Sequence, residues 1–166
     1  MIELNKNQKI NELIEISKSN SGVSGPKLAM AHIELGRLLA KEMNFNPNDT
    51  TVVAILRGGI FFAQGIYFEL GCKFTIYDPK HEEFILPNTK NVIIVDSVIN
   101  TGNTIKKIFK PGVYIACCVI NENAVNIFDD YLYTVRVSKN SFVGSEISKQ
   151  EGNKGPDTTM RLFNQI

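Results

Sequence analysis

Asp96 closes an apolar run in "NVIIVDSVINTGNT", and the residues after it are mostly small, polar or hydroxyl-bearing. A strand ending in Asp96, a turn through Thr101 and Gly102, and a helix starting near Thr104 gather backbone amides, two hydroxyls and a helix N-terminus around one hollow. Unsatisfied amides and the helix dipole both favour an anion there, so the segment can cradle a phosphate without a lysine. Gly102 lets the backbone approach closely or take a positive φ. A carboxylate beside a phosphate is unfavourable unless it has hydroxyls or a cation to hold. A phosphorylated sugar supplies the hydroxyls, and Mg²⁺ can share them. The expected ligand is a ribose 5-phosphate. The competing reading is that Asp96 caps its own turn and Thr101 to Thr104 only start a helix.

A second group with chemical potential is Arg57 followed by Gly58 and Gly59, at the end of the run "TTVVAIL". A guanidinium beside a turn whose amides face a cleft suits a large oxyanion. The alternative for Arg57 is a surface salt bridge. His32 lies in a helical stretch and His81 in a short loop. Neither is expected to act as a base, because a solvated helix face or loop is the usual home of a lone histidine.

The elements that must position these groups follow from periodicity. "KINELIEISK" and "PKLAMAHIELGRLLAKEM" read as amphipathic helices, the second with Ser24 as cap, Pro26 in its first turn, and Leu28, Ala31, Leu35, Leu38 and Leu39 on one face. "TTVVAIL", "CKFTIY", "NVIIVD", "VYIACCVI" and "YLYTVRVS" read as strands, several continuously apolar as in a sheet buried on both faces. "GIFFAQGIYFELG" and "NTIKKIFK" read as helices between them, the latter stopped by Pro111-Gly112. This alternation predicts an α/β fold with a central parallel sheet flanked by helices, and ligands at the carboxyl ends of its strands. The final stretch, from Ser145, is irregular and either frays or folds over the site. Tyr131 and Tyr133, and the aromatic cluster of "FF" and "YF", are expected to pack the core.

At 166 residues, 43% hydrophobic and 21% charged, the chain suits one domain with a substantial core. A formal charge of +1 without a Lys/Arg block gives no dedicated surface for nucleic acid or anionic membrane. No apolar run approaches the ~18 residues of a membrane span. The opening residues do not resemble an export signal, and Cys72, Cys117 and Cys118 have no metal-ligand spacing, so buried thiols in a reducing cytoplasm are expected.

"VIIVDSVINTGNT" resembles the phosphoribosyl-pyrophosphate (PRPP) motif of the type I phosphoribosyltransferases: four apolar residues, an acidic pair, then a loop ending in Thr-Gly-x-Thr/Ser. Uracil phosphoribosyltransferases replace the second acid by proline, and Ser97 stands at that replaced position. "ELGRLLAKEM" and "ILRGGIFFAQG" are similar to that branch's helix before the first core strand and to its pyrophosphate turn, where a cis peptide is common. "GNKGPDTTMRLF" is similar to its terminal Gly-Asp-rich stretch before "RxF".

The resemblance implies a Rossmann-like type I phosphoribosyltransferase fold with a small hood from the chain ends. It implies a single domain over 1–166, with a core of about 24–137 and a hood and base-pocket segment of about 138–166. It further implies transfer of the phosphoribosyl group from PRPP to a nucleobase, first of all uracil, in a homodimeric enzyme using Mg²⁺ bound mainly through PRPP. PRPP would meet Arg57, Gly58, Gly59, Asp96, Ser97, Ile99, Asn100, Thr101, Gly102, Asn103 and Thr104, with Asp96 and Arg57 closest to the chemistry. The base would meet Gly155, Pro156 and Asp157, and Asp157 would hold hydrated Mg²⁺ or simply form a turn. The interval "DPKHEEFILPNTK" contains no arginine, so the mobile lid of the uracil branch is reduced, with positive charge from Lys80 or His81 as a partial substitute. Two other readings stay open: a non-catalytic PRPP- or nucleotide-binding regulator, and a transferase for a different base.

Overall fold

The computed structural model describes residues 1–140 and 143–166. Six strands, β1 (Ile2–Glu3), β2 (Thr50–Ile55), β3 (Lys73–Tyr77), β4 (Asn91–Ile99), β5 (Val113–Asn121) and β6 (Leu132–Ser138), form one sheet in the order β1-β6-β5-β4-β2-β3. Every pairing is parallel. The helices are α1 (Gln8–Ser17), α2 (Gly25–Ala40), α3 (Ile60–Leu70), α4 (Asn103–Lys106), α5 (Glu122–Phe128) and α6 (Thr158–Leu162).

Strand alternation sorts the core into two layers. Val52, Ala54, Ile93, Val95, Ala116 and Cys118 meet Leu35, Leu39, Phe62 and Ile66 of α2 and α3. Val53, Ile55, Ile94, Ile115 and Cys117 meet Ile105 of α4, Ile108, and Ala124 and Phe128 of α5. The same alternation sends Asp96 and Ser97 to opposite faces of β4, which decides their roles below. Tyr114, Tyr131, Tyr133 and Phe45 form an aromatic group at one end of the sheet. Among the three free cysteines, Cys117 and Cys118 are buried, and burial pushes the Cys118 thiol up to about 11; Cys72 is only partly buried.

Several boundaries differ from expectation. β4 continues past Asp96 to Ile99, because its pairing with β5 persists through Val98↔Val119 and Ile99↔Ile120. α4 ends at Lys106 instead of reaching Lys110, and a turn follows in which the amides of Ile108 and Phe109 both donate to the Ile105 carbonyl. α5 was not foreseen, although Asn121 caps it by accepting from the Asn123 amide at 2.9 Å, and Ala124 and Phe128 supply a buried i, i+4 pair.

The C-terminal segment does not fray. Arg161 of α6 is buried and, among the described residues, donates to the end of α1 and the α1–α2 connection: the carbonyls of Val23, Lys18 and Ser17 and the Ser21 hydroxyl, at 2.9–3.4 Å. Leu162 adds an apolar contact with Leu28 and Ala29 of α2. Together they hold the hood over the carboxyl edge of the sheet.

Candidate active site

A cavity of about 780 Å³ opens at the carboxyl ends of β2 and β4. It brings together the turn after β2, the end of β4 and the loop into α4, the residues after β3, and the hood residues Val143, Gly144 and Asp157 to Met160.

In the turn after β2, the Leu56–Arg57 peptide is cis. Arg57 is exposed, with its guanidinium carbon 5.4 Å from the centre of the Phe163 ring. No carboxylate pairs with it among the described residues, so the salt bridge weighed for it does not form. Stacking on an aromatic face holds a cation while leaving its N–H groups available. Gly58 lines the cavity, and its carbonyl accepts the Ser97 hydroxyl proton at 2.5 Å. Gly59 was expected to meet the ligand directly; it stands behind the wall and donates its amide to Ile55 O at 2.9 Å. A Cβ there would lie 2.5 Å from Val95 O and 2.8 Å from Ile55 O, so Gly59 is what allows the turn to press against β4.

Asp96 faces the cavity and accepts the Ser97 amide at 2.7 Å. Burial nevertheless lifts its carboxyl pKa from 3.8 to about 7, outweighing the Ser97 and Val98 amides that favour the anion. Ser97, one residue on, turns its side chain the other way and meets His32 of α2, Nδ1 to Oγ 3.1 Å. His32 is therefore not on a solvated helix face: it is 1% exposed, and its pKa falls from 6.5 to about 3 through burial and then the nearby Arg161 and Arg136 charges. The spacing already carries this position: His32 lies four residues after Leu28 and three before Leu35, on the apolar stripe itself.

Asn100, Thr101, Gly102, Asn103 and Thr104 all line the cavity. Gly102 has φ 73°, which a side chain seldom adopts, and an added Cβ would also lie 3.0 Å from Phe128. Thr101, Asn103 and Thr104 are exposed, leaving hydroxyl and amide donors free to face an oxyanion. Ile99 also lines the cavity, although it belongs to the end of β4 and its side chain is 2% exposed and packed in the core. Lys80 and His81 line the opposite rim, His81 held 2.8 Å from Asp78.

Of the three residues expected to meet a base, only Asp157 lines this cavity. Its Oδ1 accepts the Met160 amide at 2.8 Å and caps α6, so the turn-forming reading describes at least half of its carboxylate. Gly155 and Pro156 are buried and line neither large cavity; a Cβ on Gly155 would fall 2.2 Å from Ser19 Cβ. Those two residues seat the hood against the α1–α2 connection.

A parallel α/β sheet with an oxyanion-ready loop, a carboxylate and a cationic turn around one cavity at its carboxyl edge defines the class: an α/β protein with an anion-receptive site. Residues 28–149 match the phosphoribosyl transferase domain, and the chain belongs to that family. Its fold is similar to that of the AQ2163 protein from Aquifex aeolicus, with TM-score 0.67 and 18% identity over 83% of this chain and 88% of that one. It is also similar to orotate phosphoribosyltransferase from Mycobacterium tuberculosis in complex with inorganic phosphate, with TM-score 0.57 and 16% identity over 79% and 96% of the two chains. A third likeness is to APRTase from Giardia lamblia complexed with 9-deazaadenine, with TM-score 0.50 and 17% identity over 66% and 80%. No curated protein sequence matches the chain significantly.

Proposed function

We propose that the 780 Å³ cavity binds PRPP and that the chain transfers its phosphoribosyl group to a nucleobase, with uracil the first candidate from the motif resemblance. The observation that carries this reading is the placement of the Asp96 carboxylate between the Asn100–Thr104 loop and the Arg57–Gly58 turn. That spacing suits a molecule with phosphate at one end, hydroxyls in the middle and pyrophosphate at the other. A bond forms from a ring nitrogen of the base to C1 of the ribose, the bond from C1 to pyrophosphate oxygen breaks, and the nitrogen loses its proton. The Asn100–Thr104 donors hold the 5-phosphate, Asp96 accepts from the ribose hydroxyls, and Arg57 meets the departing pyrophosphate.

Among the described residues no three His, Cys, Asp or Glu side chains gather as a metal cage. Of the four carboxylates lining the cavity, Asp78, Asp96, Glu146 and Asp157, the pair Asp96 and Asp157 fits a hydrated Mg²⁺ that arrives on the substrate, since that ion uses one or two carboxylates plus phosphate oxygens. When bound, it would neutralise charge on the leaving pyrophosphate. The protein is proposed to be cytoplasmic, in keeping with its unpaired cysteines, and homodimeric. In support of a dimer, Phe68 (58% exposed) and Ile76 (48%) stand on α3 and the open edge strand β3; no helix among the described residues is long and apolar enough to cross a membrane.

The test is to incubate the full chain with PRPP, Mg²⁺ and each common base and to assay nucleotide and pyrophosphate together. Formation of both supports the transferase. A folded protein that binds PRPP but forms neither with any base favours the second reading, a regulator. That reading draws on the arginine-free segment after β3, which contributes Lys80 and His81 to the cavity lining beside Arg57 of the turn after β2.

A further inference from the structure

Adjoining the first cavity, with Val98, Val143, Gly144 and Thr158 lining both, lies a second of about 420 Å³ between the α1–α2 connection, the ends of β5 and β6, and the hood. Its polarity has a definite pattern. The Ser97 hydroxyl gives its one proton to Gly58 O, so the 3.1 Å contact with His32 requires that Nδ1 carry the imidazole proton. Nε2 is then a bare acceptor, and it is buried with no partner among the described residues. Arg136 of β6 also lines this cavity, and its Nε is a buried donor with no partner among the described residues.

No acidic residue is among the described residues lining the cavity, and the one lysine there, Lys18, pairs with Glu15 at 2.6 Å. Arg161, close enough to His32 to depress its basicity, spends its guanidinium on backbone carbonyls and the Ser21 hydroxyl, with no carboxylate among the described residues. The cavity thus presents a lone pair that wants a donor, a guanidinium that wants an acceptor, and uncompensated positive charge. Buried polar groups of this kind ordinarily have partners, and a ligand is what supplies them.

We propose that this second cavity seats the acceptor of the phosphoribosyl group and selects a heterocyclic base that carries an ionised acid group, with the acid on Arg136 and a ring N–H donating to His32 Nε2. The inference rests on the transferase reading and replaces plain uracil by an acid-bearing pyrimidine as the preferred acceptor.

Calorimetric titration of the full chain in the presence of PRPP-free buffer compares three probes: orotate, which has both ring N–H and carboxylate; uracil, which has the donor only; and benzoate, which has the acid only. Orotate is expected to bind ~10-fold or more tighter than either, the usual effect of one charge-assisted hydrogen bond. Arg136→Gln should bring orotate down to the level of uracil, and Arg136→Lys should recover part of the difference. His32→Phe should weaken orotate and uracil together and leave benzoate unchanged; if that variant does not fold, the Arg136 pair decides alone. Orotate binding no tighter than uracil, or unaltered by Arg136→Gln, overturns the inference. PRPP is titrated in parallel and should bind wild type and Arg136→Gln equally. Failure of the wild type to bind PRPP overturns the transferase reading and the acceptor role with it, whereas PRPP binding without an orotate preference overturns this inference alone.

Discussion

His32 Nδ1 lies 3.1 Å from Ser97 Oγ, and both residues are 1% exposed where α2 passes beneath the strand that carries Asp96. A histidine of the long helix is thus fastened to the residue directly after the proposed ribose anchor. The Ser97 hydroxyl relays the contact onward to Gly58 O in the turn after β2. One side chain ties together α2 and both halves of the site.

Removing that hydroxyl tests the tie. Ser97→Ala leaves the His32 Nδ1–H and the Gly58 carbonyl without their partner in a water-poor place. A buried unsatisfied group costs ~1–3 kcal/mol, so a loss of that size is expected in urea unfolding at pH 7. A change below ~0.5 kcal/mol would mean that the hydroxyl does not hold the two elements together.

The pH dependence of stability should show two opposed contributions. Asp96 is raised from 3.8 to about 7 in the folded protein, so its contribution is complete below about pH 4 and is lost as pH rises toward 7. His32 is lowered from 6.5 to about 3, so its contribution is complete above pH 6.5 and is lost as pH falls toward 3. Between about pH 4 and 6.5 the two slopes, each at most ~1.4 kcal/mol per pH unit, run in opposite directions and largely cancel. Asp96→Asn should therefore turn a nearly flat profile into one that rises with pH across this window. Denaturant midpoints at half-unit pH intervals measure this, and an equally flat profile in the variant would contradict it.

Arg161 belongs to the terminal motif, and its place in the fold makes it a staple of the hood. Its donors reach the carbonyls of Val23, Lys18 and Ser17, which lie some 140 positions earlier in the chain. Arg161→Ala should cost ~3 kcal/mol or more, because several charge-assisted bonds go and their buried carbonyls stay behind. Arg161→Lys should recover only a minor part, since an ammonium cannot reproduce the fork. Limited proteolysis should then cut first after position 143; an unchanged cleavage pattern would show that the hood is held by other contacts.

How much of this was legible in the sequence depended on how local the cause was. The parallel sheet followed from continuous apolar runs such as "TTVVAI" and "NVIIV", because burial on both faces leaves a mark in every residue. The Asp96 loop was legible for the same reason: its residues are consecutive. The ends of elements were less so, since β4 is prolonged to Ile99 by its partner β5 and not by its own composition. For His32 residue type and spacing point in opposite directions, and spacing from Leu28 and Leu35 wins by placing it in the core. Arg136 and the second cavity were not legible at all: β6, α2 and the hood meet there from three distant parts of the chain, and no short pattern records that meeting.

Asp96 offers a direct reading of its own role through protons. With a pKa of about 7 it is close to half protonated at pH 7 in the free protein. Ribose hydroxyls donating to the carboxylate, or a cation beside it, favour the anion, so PRPP binding should expel about half a proton from this residue at pH 7. Calorimetric titration in two buffers of different ionisation enthalpy counts the protons released. PRPP phosphates titrate near pH 6 and add their own exchange, which the same titration of Asp96→Asn subtracts. The wild type should release about half a proton more than the variant at pH 7, and its affinity advantage should grow with pH from about 5.5 to 7.5 as the carboxylate ionises. The amide of the variant can still accept the Ser97 N–H that now holds Oδ1 at 2.7 Å, so the loop keeps its shape and the difference reports charge. Equal proton release by the two proteins would place the ribose hydroxyls elsewhere in the cavity.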